Sequence, residues 1–216
     1  MKTWIFLVAI FLSIATSCKK EPNTLLKIEG VTSDVRNGNA VSGVDVELTE
    51  QILEGGSFNS SFQFAADDLT DVNGKYVLEF PRQNAAEYKL GFDKSGYFNQ
   101  VHSVNPDNVD PNEAYVVNAS LIPEAYFTVH LINQNPFDEE DRILYRNLNA
   151  YFSCSCCNVA WVEALGTSVD TSFTCIIHGD FTVAYTWEVR RNDADSVYNA
   201  SIFCPAFEET ILTIEY

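Results

Sequence analysis

Residues 31–50 read VTSDVRNGNAVSGVDVELTE, and this stretch decides the fold class. Its second half alternates apolar and polar side chains, with Val44, Val46 and Leu48 on one face of an extended chain. Because successive side chains of a strand point to opposite faces, the pattern predicts a strand with one buried side. An Asn-Gly pair at 37–38 precedes the strand and favours a tight turn.

The same alternation recurs along the chain, and no window of fifteen residues sustains a 3.6-residue period. The longest one-sided strand is predicted at 181–189, FTVAYTWEV. We therefore expect an all-β protein, with two consecutive β-sandwich domains because about 200 residues exceed the need of one small sandwich. The predicted division is a signal peptide at 1–17, a tether at 18–24, a first sandwich at 25–122 and a second, cysteine-containing sandwich at 124–216.

The first 17 residues predict an export leader. A positive start is followed by the apolar run WIFLVAIFLSIA at 4–15 and by small residues before Cys18. A run of about a dozen residues is too short for a permanent membrane span. Because Cys18 follows the predicted cut, the segment resembles a lipoprotein signal of the kind found in Bacteroidota. That resemblance implies acylation of Cys18 and a lipid anchor in the outer membrane or at the cell surface, with a periplasmic position left open; an ordinary secretion signal is the alternative.

The negative net charge limits the classes of molecule that the protein is expected to bind. The formal net charge is −17, and it becomes −18 without residues 1–17, because Lys2 is the charged residue of that segment. Such a charge repels phosphates and anionic head groups, so we expect no nucleic-acid partner.

Three segments of the first half carry a family resemblance. They are residues 34–46, the turn and strand at 70–76, and the Gly-Tyr pair at 96–97. Together they resemble a carboxypeptidase regulatory-like domain of the transthyretin-like fold, over residues 25–122. The resemblance implies an add-on sandwich of secreted and outer-membrane proteins without catalytic residues, and it says nothing of the ligand. An insert at 51–61 departs from that pattern.

The cysteines of the second half allow three interpretations: structural disulfides, a metal site or a redox thiol. Cys175 and Cys204 alternate with apolar neighbours, so both are expected to face the core, and a bridge between them is the favoured disulfide. The cluster of Cys154, Cys156 and Cys157 supplies further disulfide candidates. Because its soft thiolates lie close together, the cluster would also suit copper or zinc, with His178 as a further ligand, or a redox thiol.

No motif for nucleophilic, metal-dependent or phosphate chemistry is present in the sequence. We therefore expect a non-enzymatic envelope lipoprotein without a cofactor, acting as a binding or scaffold accessory for a glycan or a protein. A metal or redox protein using the cysteines is the alternative. Exposed aromatic rings would carry such binding, and Phe58 and Phe62 of the insert are the candidates. The Asp-Ser-Val sequence at 195–197 marks Ser196 as a candidate O-glycosylation site.

Overall fold

The computed structural model describes residues 24–54, 56–58, 60–149 and 159–216. Those residues form an all-β protein, which confirms the predicted fold class, and they contain no α-helix. A short 3-10 helix lies at Pro106–Asn108. The strands are β1 (Leu25–Asp34), β2 (Asp45–Glu54), β3 (Ser57–Phe58), β4 (Gln63–Leu69), β5 (Lys75–Pro81), β6 (Ala85–Asp93), β7 (Gln100–Val104), β8 (Tyr115–Val116), β9 (Ala119–Leu121), β10 (Glu124–Ile132), β11 (Arg142–Asn147), β12 (Val162–Leu165), β13 (Asp170–His178), β14 (Phe181–Arg191), β15 (Ala194–Cys204) and β16 (Glu209–Glu215).

Strands β1 to β9 form a first sandwich. One sheet has the order β5-β1-β8, with β9 also on β1, and the other has the order β3-β2-β6-β7, with β4 also on β2. The predicted inward side chains fill the space between the sheets, since Val44, Val46 and Leu48 are fully buried. Large rings from β5 and β6 complete this core, and each such buried side chain contributes roughly 1.5–3 kcal/mol. They are Tyr76, Phe80, Tyr88 and Phe92.

Two local features of the first sandwich follow from glycines. Gly74 adopts a φ of +72°, and a Cβ there would lie 2.4 Å from the Thr32 carbonyl oxygen. The Asp71 carboxylate accepts the N–H of Lys75, so this segment is the tight turn that the sequence predicts. Gly30 lets the Val117 carbonyl approach β1 between the points where β8 and β9 pair with it.

The insert at 51–61 has more structure than a loop. Strand β2 continues through Glu54, and β3 returns antiparallel beside it. The described part of the insert is therefore a short hairpin that lengthens the sheet of β2.

Strands β10 to β16 form a second sandwich. Its sheets have the orders β13-β10-β16 and β12-β11-β14-β15, so three strands face four. Phe127, Val129 and Leu131 are fully buried, as the alternation in β10 predicts. The facing side chains include Ile143, Val183 and Tyr185.

A compact set of contacts joins the two sandwiches, and we call it the inter-sandwich joint. Arg36 binds both carboxylate oxygens of Asp34 in the first sandwich and reaches Asp180 of the second at 3.1 Å. Its guanidinium lies 5.0 Å from the ring centroid of Phe207, and the Tyr97 ring packs edge-on against that ring. The Tyr97 hydroxyl also donates to Asp34. A charged hydrogen bond to Asp180 and ring packing on Phe207 therefore cross the boundary at one place.

Candidate functional site

A cavity of about 490 Å³ opens on the second sandwich, between the inner face of β14–β15 and strand β16. We call it the C-terminal groove. It is larger than the 390 Å³ cleft beside the acidic run at 138–140, which has a mainly charged lining. The groove is lined by Trp187, Val189, Arg191, Ala194, Ser196, Tyr198, Thr213, Ile214, Glu215 and Tyr216.

The long hairpin of β14 and β15 builds the floor of the groove. The two strands pair antiparallel over eleven residues each. Asn192 and Asp193 both have positive φ values, 48° and 52°, which is the backbone of a tight two-residue hairpin turn. The turn half of the hairpin is uncovered, since residues 194–199 of β15 are exposed on both faces.

Two aromatic rings form the centre of that floor. Trp187 and Tyr198 are opposite residues of the β14–β15 ladder, and their rings stack with centroids 5.7 Å apart and an interplanar angle of 18°. Trp187 is half-buried and Tyr198 is exposed. Trp and Tyr rings offer a large, rigid apolar surface with a polar edge, which suits both sugars and protein segments.

A polar cluster closes one end of the groove. The Tyr216 side chain is buried, and its hydroxyl has no hydrogen-bond partner among the described residues. Burial first, and the Asp141 charge second, raise the pKa of Tyr216 to about 12, so the hydroxyl keeps its proton. A buried protonated hydroxyl without a partner is a donor that a neighbouring ligand atom or water would satisfy.

Asp141 anchors this cluster. Burial opposes its ionisation most strongly, but the Phe137 N–H, the Asn133 amide and the Arg191 charge together hold the pKa of Asp141 below its ordinary value. Its Oδ2 accepts the Phe137 N–H at 2.7 Å and lies 3.9 Å from the Arg191 Nε. The Arg191 guanidinium is thereby balanced, so the groove presents no free cation to an anionic ligand.

The two aromatic residues predicted as ligand contacts belong to the first sandwich, whereas the groove lies on the second. Phe58 belongs to β3 of the first sandwich, and its side chain lies outside the described residues. Phe62 is half-buried, and the Lys89 ammonium lies 3.8 Å from its ring centroid. Phe62 therefore packs against the sandwich, and its role as a ligand contact stays a prediction.

Ser196 lies in the groove itself. It is exposed on β15 opposite Val189 and belongs to the groove lining. Its O-glycosylation stays a prediction, and a sugar attached there would stand beside Tyr198.

The favoured disulfide is wrong. Cys175 is disulfide-bonded, but Cys204 is a free, buried thiol, so the two do not pair. Both side chains face the core as expected, from facing sheets, and the bonded partner of Cys175 lies outside the described residues. Burial raises the pKa of the Cys204 thiol, which keeps it protonated and unreactive.

The remaining predicted residues fall outside the described part of the chain. Cys18, Cys154, Cys156 and Cys157 all do so. Within the described ranges, no group of three His, Cys, Asp or Glu side chains is placed to hold a metal ion. No helix in those same ranges is long and apolar enough to cross a membrane.

Trp187 lies on the inward face of β14, within the one-sided strand that the sequence predicts at 181–189, but it is half-buried and packs at the margin of the core. No signal in the strand itself indicates this, because the cover over Trp187 depends on the facing sheet. That sheet is set by the pairing of β10, β13 and β16, which cannot be read from the alternation of β14 alone.

No protein-family model and no curated protein matches this sequence. Among solved structures, the chain is similar to the Bacillus anthracis TIE protein, with 10% identity over 89% of this chain and 34% of that one, at a TM-score of 0.39. It is also similar to the shaft pilin SpaA of Lactobacillus rhamnosus GG, with 12% identity over 89% of this chain and 98% of that one, at a TM-score of 0.36. A catechol 1,2-dioxygenase of Acinetobacter radioresistens matches at 21% identity over 47% of this chain and 53% of that one, at a TM-score of 0.35.

The chain thus spans about a third of the Bacillus anthracis chain that it matches. At these TM-scores the likenesses carry no argument about function. The candidate site therefore depends on its own geometry.

Proposed function

We propose that this protein is a non-enzymatic lipoprotein of the cell envelope that binds a glycan or protein ligand in the C-terminal groove. The observation that carries the proposal is the stacked Trp187–Tyr198 pair, which lies partly uncovered in a cavity beside the unpartnered Tyr216 hydroxyl. Ligand sites typically combine an apolar, aromatic lining with a few fixed polar groups.

The leader and Cys18 support the cellular place in this proposal. Acylation of Cys18 would hold the sandwiches at a membrane, where the groove could meet an extracytoplasmic ligand. The family resemblance of residues 25–122 supports an accessory role for the first sandwich, because such domains are spacers and add-on modules. Under this proposal the first sandwich positions the second, and the second sandwich binds.

Replacing Trp187 tests the proposal. The probes are soluble polysaccharides, neutral and acidic, and nine-residue extended peptides, each measured by isothermal titration against the mature chain. We expect Trp187→Ala to weaken binding of the recognised probe by about tenfold or more, because a central aromatic anchor carries much of a small interface.

Trp161 provides the matched control. It is also a partly exposed tryptophan of the second sandwich, but it packs against Arg146 and lies outside the groove lining. Trp161→Ala should leave the affinity unchanged. Tyr198→Ala, a change at a more exposed ring, should reduce the affinity without reducing thermal stability. If none of the probes binds, or if Trp161→Ala and Trp187→Ala have equal effects, the proposal is wrong.

A further inference from the structure

The C-terminal groove lies at the edge of a sheet. The order β13-β10-β16 leaves β16 paired on one side, by β10, within the described part of the chain. Four consecutive residues, 213–216, line the cavity. Since side chains of a strand alternate between faces, a cavity that contacts all four must run along the strand edge.

The backbone of β16 has groups that point into this edge. Tyr216 donates its N–H to Ile132 of β10 and accepts the N–H of Gln134. Because backbone groups alternate in direction along a paired strand, the N–H and C=O of Thr213 and Glu215 point away from β10. Those groups face the side of the cavity that an added strand would occupy.

The turn end of the facing hairpin is uncovered, since residues 194–199 of β15 are all exposed. The cavity between this end and β16 is lined by Trp187 and Tyr198 on one side and by residues 213–216 on the other. A strand added beside β16 would enter this cavity and contact the two rings. Long exposed edges of this kind are templates for pairing with another segment.

We infer that the ligand of the groove is an extended protein segment, which adds to β16 as a further strand and places its alternate apolar side chains on Trp187 and Tyr198. This inference rests on the proposed function and specifies its ligand. Backbone pairing along β16 supplies affinity, and the aromatic floor selects the side chains. The edge residues 213–216 span about 13 Å, so the pairing segment needs roughly four to five residues.

Charge favours a neutral or basic partner over a second copy of this chain. A second copy would bring a net charge of −17 against the same charge. The rim of the groove includes Glu215, and the Arg191 charge is balanced by Asp141. A segment with apolar residues at alternate positions and lysine or arginine between them fits this rim.

The test uses a nine-residue probe of alternating valine and threonine with a lysine at each end. Its control is the same peptide with alternate backbone N–H groups methylated, which keeps the side chains and removes strand pairing. We expect the methylated peptide to bind about tenfold more weakly, because two or more backbone hydrogen bonds are lost. Hydrogen exchange should show new protection of the Thr213 and Glu215 amides with the unmodified peptide.

Thr213→Pro is the matching change on the protein. Its N–H points away from β10, so proline removes an edge donor without removing a bond of the sheet. We expect about fivefold weaker binding for Thr213→Pro and an unchanged affinity for Ile211→Pro, with equal thermal stability of the two variants. Ile211→Pro is the matched control because Ile211 is exposed, its N–H also points away from β10, and it lies outside the groove lining.

The outcomes separate the inference from the proposed function. Equal binding of the methylated peptide, or an unaffected Thr213→Pro, overturns strand addition. A polysaccharide that binds through Trp187 without protecting Thr213 and Glu215 also overturns it, while the proposed function stands. Concentration-dependent dimers that Thr213→Pro abolishes would assign the edge to a second copy and overturn the choice of partner. If no probe shows binding that Trp187→Ala weakens, both the proposed function and the strand-addition inference are wrong.

Discussion

Glu50 is a carboxylic acid on the core-facing side of β2, at a position where the alternation of Val44, Val46 and Leu48 would place an apolar residue. Its side chain is 3% exposed, and its Oε2 has no hydrogen-bond partner among the described residues. Burial raises the pKa of Glu50 above its ordinary value. A buried carboxyl with an unsatisfied oxygen costs stability whenever it ionises.

We predict that Glu50→Gln stabilises the protein at pH 7 by about 1–2 kcal/mol and has little effect at pH 4. The folded-state pKa lies above the unfolded value near 4.5, so the contribution of Glu50 to stability is most favourable below that value and is lost as the pH rises through the folded-state pKa. Urea unfolding at the two pH values measures the difference. Glu47→Gln, an exposed neighbour on the same strand, is the control, and an effect of Glu50→Gln that is equal at both pH values would contradict the prediction.

At the scale of single residues, sequence predicted which apolar side chains are buried but not which polar ones are. Residues 138–141 are four consecutive acids, a composition typical of a solvated loop, yet Asp141 is fully buried because the Phe137 N–H and the Asn133 amide bind it. These donors come from the backbone turn and from the end of β10. No local sequence pattern predicts such a hydrogen-bond donor, because the contact depends on where the neighbouring strands end in space.

At the scale of elements, the inter-sandwich joint depends on Arg36, in the turn after β1. The Arg36 hydrogen bonds, opposed by burial, lower the pKa of Asp34, which is 4% exposed. We predict that Arg36→Ala lowers the free energy of unfolding by about 2 kcal/mol, because Asp34 is left buried without its cation. Arg36→Lys should recover little of this loss, since an ammonium cannot bind both carboxylate oxygens in the same planar geometry.

Denaturant unfolding of the purified protein measures this loss. Asp180→Asn is the matched control, because it removes the more exposed partner of the same arginine and should cost less than 1 kcal/mol. Equal losses for Arg36→Ala and Asp180→Asn would show that the Asp34 pair is not the stabilising contact.

Strand faces were therefore predictable from the sequence and strand partners were not. Alternation placed Tyr76, Phe127 and Tyr185 inward, and all three are buried. Alternation could not indicate that residues 194–199 of β15 are exposed on both faces. Burial of a strand's inner face depends on the strands of the facing sheet, which are distant in sequence. The same limit explains the wrong Cys175–Cys204 pair, since a shared inward face does not bring two sulfur atoms together.

At the scale of the whole molecule, the proposed lipid anchor and the acidic body would make opposite contributions to membrane binding. A chain with a net charge of −17 is repelled by anionic lipids, so the proposed attachment requires acyl chains on Cys18. We predict that the wild-type protein, expressed with its leader in a bacterium that processes lipoproteins, incorporates labelled palmitate and partitions into detergent. Cys18→Ala should abolish the label and move the protein to the aqueous phase, because each buried CH₂ contributes about 0.8 kcal/mol.

Cys204→Ala is the control for that experiment, since it removes a buried thiol and should change neither the label nor the partition. Membrane association that survives Cys18→Ala would contradict the lipid anchor.

The placement of β1 has a mechanical consequence. The strand begins at Leu25, directly after the predicted tether, and it is paired with β5 along one edge and with β8 and β9 along the other. A pull on the chain before Leu25 acts along the strand axis and loads both rows of hydrogen bonds in shear. Bonds loaded in this way share the force and fail together, whereas bonds at a peeling end fail one at a time. If the chain is anchored at Cys18 as proposed, the first sandwich would therefore transmit tension from that end without unravelling.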